Sequence, residues 1–126
     1  YKRQALRVFN TIGSTTTLAE DQFGVFSALA GSSPAYIDFF IDSLSRAGVK
    51  YGLTKAQATQ IAAQATLGSA KMVLESDKIP FALIDQVASP GGSTVAGLLA
   101  MEEAGLMTAV VKGIDATIKR DAGDPA

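Results

Sequence analysis

Residues 89–98, SPGGSTVAGL, are the stretch that decides how this sequence is interpreted. A proline and two glycines are followed by two hydroxyl side chains and by the start of a helical pattern. Such a turn is either a plain link between two helices or a cradle for a small anion, because a helix N-terminus presents unpaired N–H groups. The rest of the chain has to decide between the two.

Composition removes several classes of function. The 126 residues carry 11 Lys+Arg and 12 Asp+Glu, a balance that argues against nucleic-acid binding. The absence of Cys and His excludes thiolate or imidazole metal sites and Ser-His-Asp catalysis, so we expect no metal. No apolar run approaches the ~20 residues that span a bilayer, and the first residues do not resemble a signal peptide. We therefore expect a cytoplasmic protein with no membrane partner.

The first nineteen residues differ from the rest. Apolar residues before Gly13 have helical spacing, and the β-branched stretch 14–20, STTTLAE, predicts one short strand. Because a single strand is not stable alone, residues 1–19 are expected to be the trailing part of a larger domain.

From residue 20 onward the pattern predicts an all-α bundle. Thr54 and Gln57 form a capping box, and Ser33 before Pro34 is predicted to cap another helix. Small residues in the long central helix predict a place at the centre of the bundle. High apolar content (48%) predicts burial against a second copy of the chain. The predicted helices cover 21–30, 34–47, 54–76, 80–86, 93–105 and 106–120. The second is predicted to stop around Gly48 to Gly52. The fifth is predicted to be capped by Ser93 or Thr94 and to stop at Gly105.

The glycine turn has a specific physical interpretation. Gly91 and Gly92 lack a Cβ, so they can adopt positive φ and allow a ligand close to the backbone. The N–H groups of Gly92, Ser93 and Thr94 would then converge on a carboxylate, with the hydroxyls of Ser89, Ser93 and Thr94 as further partners. The alternative is a simple interhelical link in which Ser93 or Thr94 caps the next helix.

Four motifs stand out along the chain: GSSPAY (31–36), AGVKYGL (47–53), LGSAKMVLE (67–75) and DQVASPGGSTVAGL (85–98). In their order and spacing they resemble the C-terminal domain of the pyrroline-5-carboxylate reductase family. The resemblance implies reduction of 1-pyrroline-5-carboxylate to proline with NADP or NAD, and an interlocked homodimer or an oligomer of dimers. It also implies that residues 1–19 are the remnant helix and strand of a Rossmann domain, with residues 20–126 as the dimerisation and substrate-binding domain. The fragment alone is then expected to be inactive.

The resemblance also assigns roles to residues. The turn residues Ser89, Gly91, Gly92, Ser93 and Thr94 match the loop that holds the substrate carboxylate. Thr94 matches the threonine whose hydroxyl faces the ring nitrogen, and it is the predicted catalytic residue. A protonated imine is already electrophilic, so positioning and electrostatics suffice without His or Cys.

Outside the turn, five further residues match family positions at the substrate or the dinucleotide. Pro34 and Asp77 are assigned to the substrate, and Ala35, Gln86 and Val87 to the cofactor. Each also has a simpler structural explanation as a helix start, a surface charge or a solvated side chain. Ser33 replaces a usual glycine and Ile84 stands where lysine is common. These departures leave open a relative that acts on another cyclic imine.

Two other functional classes remain open at this point. One is a non-catalytic assembly module, in which the helices only dimerise and the glycine turn is structural. The other is a small-anion binding protein without redox chemistry. The choice between NADPH and NADH is also open, because its determinants would lie in the absent domain.

Overall fold

The computed structural model describes residues 1–123, and residues 124–126 lie outside the described part. Within it the chain forms seven α-helices and no strand. A 3₁₀ turn at Glu20–Gln22 precedes the second helix, and a π-helical segment at Ser27–Ser32 joins the second helix to the third. The helices are α1 (Lys2–Phe9), α2 (Phe23–Phe26), α3 (Ser33–Lys50), α4 (Lys55–Glu75), α5 (Pro80–Val87), α6 (Ser93–Glu103) and α7 (Leu106–Asp121).

The all-α prediction is confirmed, but the predicted strand at 14–20 is wrong. Residues 14–19 have no regular structure, and Glu20 already begins the 3₁₀ turn. A strand needs a neighbouring strand to pair with, and none forms in residues 1–123. The β-branched composition alone was therefore not sufficient to predict a strand.

The predicted break before Pro34 is also wrong. The chain passes from α2 through the π-helical segment into α3 without leaving the helix. Ser33 is not a cap: its backbone N–H donates to the Ala28 carbonyl, five residues back, and its hydroxyl donates to the Leu29 carbonyl at 2.5 Å. A proline ring crowds the carbonyl four residues before it, and a wider π turn accommodates this crowding.

The turn between α3 and α4 forms as the sequence predicts. Gly52 closes it with φ of +99°, a conformation that L side chains rarely adopt. The Thr54 hydroxyl accepts the Gln57 N–H at 3.2 Å, and the Gln57 side chain accepts the Thr54 N–H at 3.1 Å. This reciprocal pair is the predicted capping box, and it sets the start of α4.

α3 and α4 then pack closely along their length. A Cβ added at Gly48 would lie 2.9 Å from the Ala58 Cβ, so the glycine permits the close approach. Ser45 is completely buried, and its hydroxyl bonds to that of Thr59 at 2.9 Å. Ala62 continues the buried face one turn further along α4. This hairpin is the best-packed part of the chain.

An exposed ion pair adds to the same hairpin. The Asp42 carboxylate accepts a hydrogen bond from Lys55 at the start of α4 and from Arg46 on α3, the latter at 2.6 Å. These bonds, that of Lys55 first, hold the pKa of Asp42 below its ordinary value. Because the carboxylate is solvent-exposed, the pairs are a minor contribution to stability.

Gly105, with φ of +79°, separates α6 from α7 as the sequence predicts. The two helices meet at a bend of 49°. Taken together, this bent pair has the length and composition of a membrane span. No single helix in residues 1–123 is long and apolar enough to cross a membrane.

The chain buries little of its apolar surface. Only Ala28, Ala58 and Ala62 are buried hydrophobic residues among those described. The accessible surface is 10386 Å², whereas a compact monomer of this mass exposes about 6,300 Å². The difference is surface that a compact monomer would have covered.

Part of this surface is a continuous groove between α3, α6 and α7. It encloses about 530 Å³ and is lined by apolar side chains that include Phe39, Met101 and Val110. At one end the Tyr36 hydroxyl bonds to that of Thr117, which ties the first turns of α3 to α7.

Candidate functional site: an open helix N-terminus

The glycine turn joins the end of α5 to the start of α6. Gly91 has φ of +69°, in the left-handed region that glycine favours. This brings the Gly92 N–H to the Ser89 carbonyl at 2.9 Å. The prediction that the Gly92 amide is open to a ligand is therefore wrong, because the turn uses that donor internally.

Gly92 rather than a hydroxyl residue occupies the N-cap of α6. The prediction that Ser93 or Thr94 caps the helix is wrong, because Ser93 is already the first helical residue and no side chain caps this end. A glycine N-cap has no side-chain acceptor for the first amides of the helix.

Three backbone amides lack an intrahelical acceptor, as at any helix start, and here they also lack a side-chain cap. The N–H groups of Ser93, Thr94 and Val95 occupy the first turn, and among the described residues no side chain accepts from this end. Ser93 and Thr94 are exposed. Val95 was missed by sequence reasoning. Its role becomes evident only once α6 is known to begin at Ser93, because Val95 then carries the third helical amide, which also lacks an intrahelical acceptor.

The close fit of the turn explains the second glycine. A Cβ at Gly92 would lie 2.5 Å from the Ser89 hydroxyl oxygen and 3.0 Å from the Ser89 carbonyl oxygen. A side chain at position 92 would therefore force the turn open. At Gly97, one turn further into α6, an added Cβ meets no atom within 4 Å. Gly97 is thus a natural control position.

The local electrostatics favour a small anion. Residues 89–98 contain no charged side chain, so the open amides and the positive end of the α6 dipole are the local attraction. Within the described residues, no group of three or more Asp and Glu side chains is arranged to hold a metal ion. The arrangement suits a carboxylate.

The remaining predicted site residues are all exposed and lie in three places. Pro34 and Ala35 begin α3, and Asp77 follows the end of α4. Gln86 and Val87 end α5 next to the turn, where the Gln86 side chain donates to the Ala82 carbonyl of its own helix at 3.3 Å. α5 has no extensive packing against α3. One copy of the chain therefore does not enclose these positions in a single pocket.

These features together define an all-α domain in which the first amides of α6 are open to a small anion. The chain belongs to the pyrroline-5-carboxylate reductase family, because the family model described as "Pyrroline-5-carboxylate reductase dimerisation" matches residues 20–123. The resemblance read from the four sequence motifs is confirmed.

Individual members of this family are also similar to the chain in sequence and structure. The chain is 42% identical over 109 residues to the pyrroline-5-carboxylate reductase of Escherichia coli K12, covering 86% of the chain and 40% of the relative. The solved reductase of Streptococcus pyogenes superposes with a TM-score of 0.87 at 44% identity, over 94% of this chain and 46% of that one. The NADP-bound enzyme of Plasmodium falciparum gives 0.85 at 33% identity, over 94% and 48%. The chain therefore spans less than half the length of these relatives.

Proposed function

We propose that the chain is the dimerisation and substrate-binding part of a cytoplasmic reductase that converts 1-pyrroline-5-carboxylate to proline. Family membership and the names of the relatives support the reaction. The observation that carries the binding role is the row of unpaired amides at Ser93, Thr94 and Val95. Residues 1–19 are proposed to belong to a preceding dinucleotide-binding domain. In support, the relatives are more than twice as long as the chain.

The proposed mechanism assigns binding and orientation to the turn. The amides of Ser93 and Thr94 hold the substrate carboxylate, and Gly91 and Gly92 keep side chains away from it. The Thr94 hydroxyl faces the ring nitrogen and fixes which face of the imine carbon is presented. A bound nicotinamide dinucleotide supplies the hydride. Because the protonated imine is electrophilic, correct positioning is the main requirement of this chain.

The cofactor and the remaining substrate contacts are proposed on the same basis. Ala35, Gln86 and Val87 are exposed and available to a dinucleotide held mainly by the other domain. Pro34 and Asp77 are proposed at the substrate. The NADP in the Plasmodium relative favours NADP over NAD. Steady-state kinetics with NADPH and NADH on the full-length protein test this, and a larger kcat/KM with NADH would contradict it.

Calorimetry tests the binding role. The full-length protein saturated with NADP is titrated with proline, and Gly92→Val and Thr94→Ala are compared with the control Gly97→Ala. Gly92→Val is expected to weaken binding more than about tenfold, because the added side chain opens the turn. Thr94→Ala is expected to weaken it about fivefold, the value of roughly one hydrogen bond. Gly97→Ala is expected to leave binding unchanged.

Three outcomes would count against this proposal. Equal affinities in all variants would remove the turn from the site. No proline binding and no NADPH oxidation with 1-pyrroline-5-carboxylate would favour the assembly-module alternative. Oxidation with another cyclic imine alone would favour a reductase of different specificity.

We also propose that the chain forms a homodimer, alone or within an oligomer of dimers. The large uncovered apolar surface and the groove between α3, α6 and α7 support this. Sedimentation equilibrium is expected to give at least twice the chain mass of 13.0 kDa. Phe39→Asp in the groove is expected to weaken assembly, whereas Ile12→Asp, similarly exposed but outside the bundle, is not. A single-chain mass would contradict the proposal.

A further inference from the structure

The junction between α2 and α3 has a hydrogen-bonding gap that Pro34 creates. In the π-helical segment each N–H donates to the carbonyl five residues back, and the Ser33 N–H does so to Ala28. The next carbonyl in this register, that of Leu29, would accept the N–H of residue 34. Proline has no N–H. The Leu29 carbonyl is therefore left without its helical donor.

The Ser33 hydroxyl fills this gap. It donates to the Leu29 carbonyl at 2.5 Å, so a side chain replaces the backbone donor that Pro34 lacks. A helix carbonyl without a donor costs free energy, so this bond favours the π register over a rearranged turn.

The register has consequences beyond the bond itself. Ala28, within the π-helical segment, is completely buried, and the segment packs against α7. Loss of the extra residue of the π turn would rotate the start of α3 by about 100° relative to Ala28. The segment and the first turn of α3 could not then both keep their packing on α7.

A second contact fixes the other side of the same turn. Thr117 donates its hydroxyl proton to the Gly113 carbonyl at 2.9 Å. Because a threonine hydroxyl carries one proton, Tyr36 is the donor in the bond between the two hydroxyls. Pro34 and Ala35 therefore lie between two anchors, Ser33 on Leu29 and Tyr36 on α7.

We propose that Ser33 is a positioning residue whose hydroxyl replaces the missing N–H of Pro34 and keeps the π turn in register. It thereby holds Pro34 and Ala35 in place for the reaction, a consequence that rests on the proposed function. Ser33 itself does not contact the reacting atoms in this proposal.

A double-mutant cycle on thermal stability tests the hydrogen-bonding role without any activity. Ser33→Ala is expected to lower Tm by about 3 °C, as the loss of one hydrogen bond predicts. In a Pro34→Ala background the N–H returns, and Ser33→Ala is expected to lower Tm by less than about 1 °C. Equal losses in the two backgrounds, or no loss in either, would overturn the proposal.

A near-isosteric pair keeps the test valid if Pro34→Ala fails to fold. Thr retains a hydroxyl that bonds to a helix carbonyl one turn back, whereas Val does not. Ser33→Thr is expected to keep the Tm of the unchanged protein, and Ser33→Val is expected to lose about 3 °C. Equal Tm values for Thr and Val would overturn the assignment.

Kinetics of the full-length protein test the positioning role. Ser33→Val is expected to lower kcat about threefold with little change in KM for the imine, since the carboxylate site lies on α6. Ser33→Thr is expected to restore kcat. A loss of Tm with unchanged kcat would overturn the positioning role. If the full-length protein reduces no imine while the stability cycle shows coupling, the proposed function fails and the hydrogen-bonding role of Ser33 is supported.

Discussion

The α3–α4 hairpin and the α5–α6 region differ in how far their own polar groups and side chains find partners within the chain. The hairpin satisfies its own groups: Ser45 is buried and bonded to Thr59, and the capping box at Thr54 closes the start of α4. By contrast, α5 and α6 contain no buried residue, and the first amides of α6 have no partner within residues 1–123. A region that is complete by itself provides rigidity, whereas a region with open groups is available to a ligand or a second copy.

The first prediction concerns the close packing of the α3–α4 hairpin. Gly48→Val would place methyl groups where even a Cβ lies only 2.9 Å from Ala58. Separation of α3 from α4 is expected to lower the free energy of unfolding by about 3 kcal/mol, measured by urea denaturation. Gly24→Ala, where an added Cβ meets nothing within 4 Å, is the control and should cost nothing. Equal stability of Gly48→Val and the unchanged protein would show that the hairpin is not tightly packed.

The second prediction concerns the open region. Gly91→Ala forces a residue with a Cβ into positive φ, which is expected to cost about 1–2 kcal/mol. The same denaturation measurement on Gly97→Ala should show no loss, because alanine favours a helix. A Gly91→Ala protein as stable as Gly97→Ala would contradict the left-handed turn.

The third prediction measures how much the capping box at Thr54 contributes to stability. Thr54→Ala removes the acceptor of the Gln57 N–H and is expected to cost about 1 kcal/mol. Thr16→Ala, in the irregular segment before the bundle, serves as the control. If the two alanine variants were equally stable, the capping box would not contribute.

The smallest expected effect is the pH dependence of the hairpin. Because the folded-state pKa of Asp42 is lowered, its contribution is fully present above the unfolded pKa of about 3.9. It is lost as the pH falls through the lower folded value. Thermal midpoints from about pH 5 to pH 2 should fall less steeply in Asp42→Asn than in the unchanged protein. Parallel curves would contradict the ion pairs.

Local signals predicted much of the fold. The capping box at Thr54, the stop at Gly105 and the turn at Gly52 each depend on a few adjacent residues, and the structure places all three as predicted. The family was also identified from short motifs. The roles of the individual site residues stay predictions, because a single chain leaves them exposed and apart.

The wrong predictions fall where the local structure depends on backbone conformation or on contacts with other helices. The π turn at residues 27–32 depends on Pro34 and on packing against α7, so a break was predicted instead of a continuous helix. The capping of α6 was misread because the φ of Gly91 determines which residue becomes the N-cap. The groove was missed because it requires the crossing of three helices, although Phe40, Leu44 and Ala47, which line it, already have the apolar spacing of one face of α3.

A crystal structure of the full-length protein with a bound cyclic carboxylate tests the central claim most directly. We expect carboxylate oxygens about 3 Å from the backbone nitrogens of Ser93 and Thr94. A carboxylate bound elsewhere, with these nitrogens bonded to a side chain of the second copy, would contradict it.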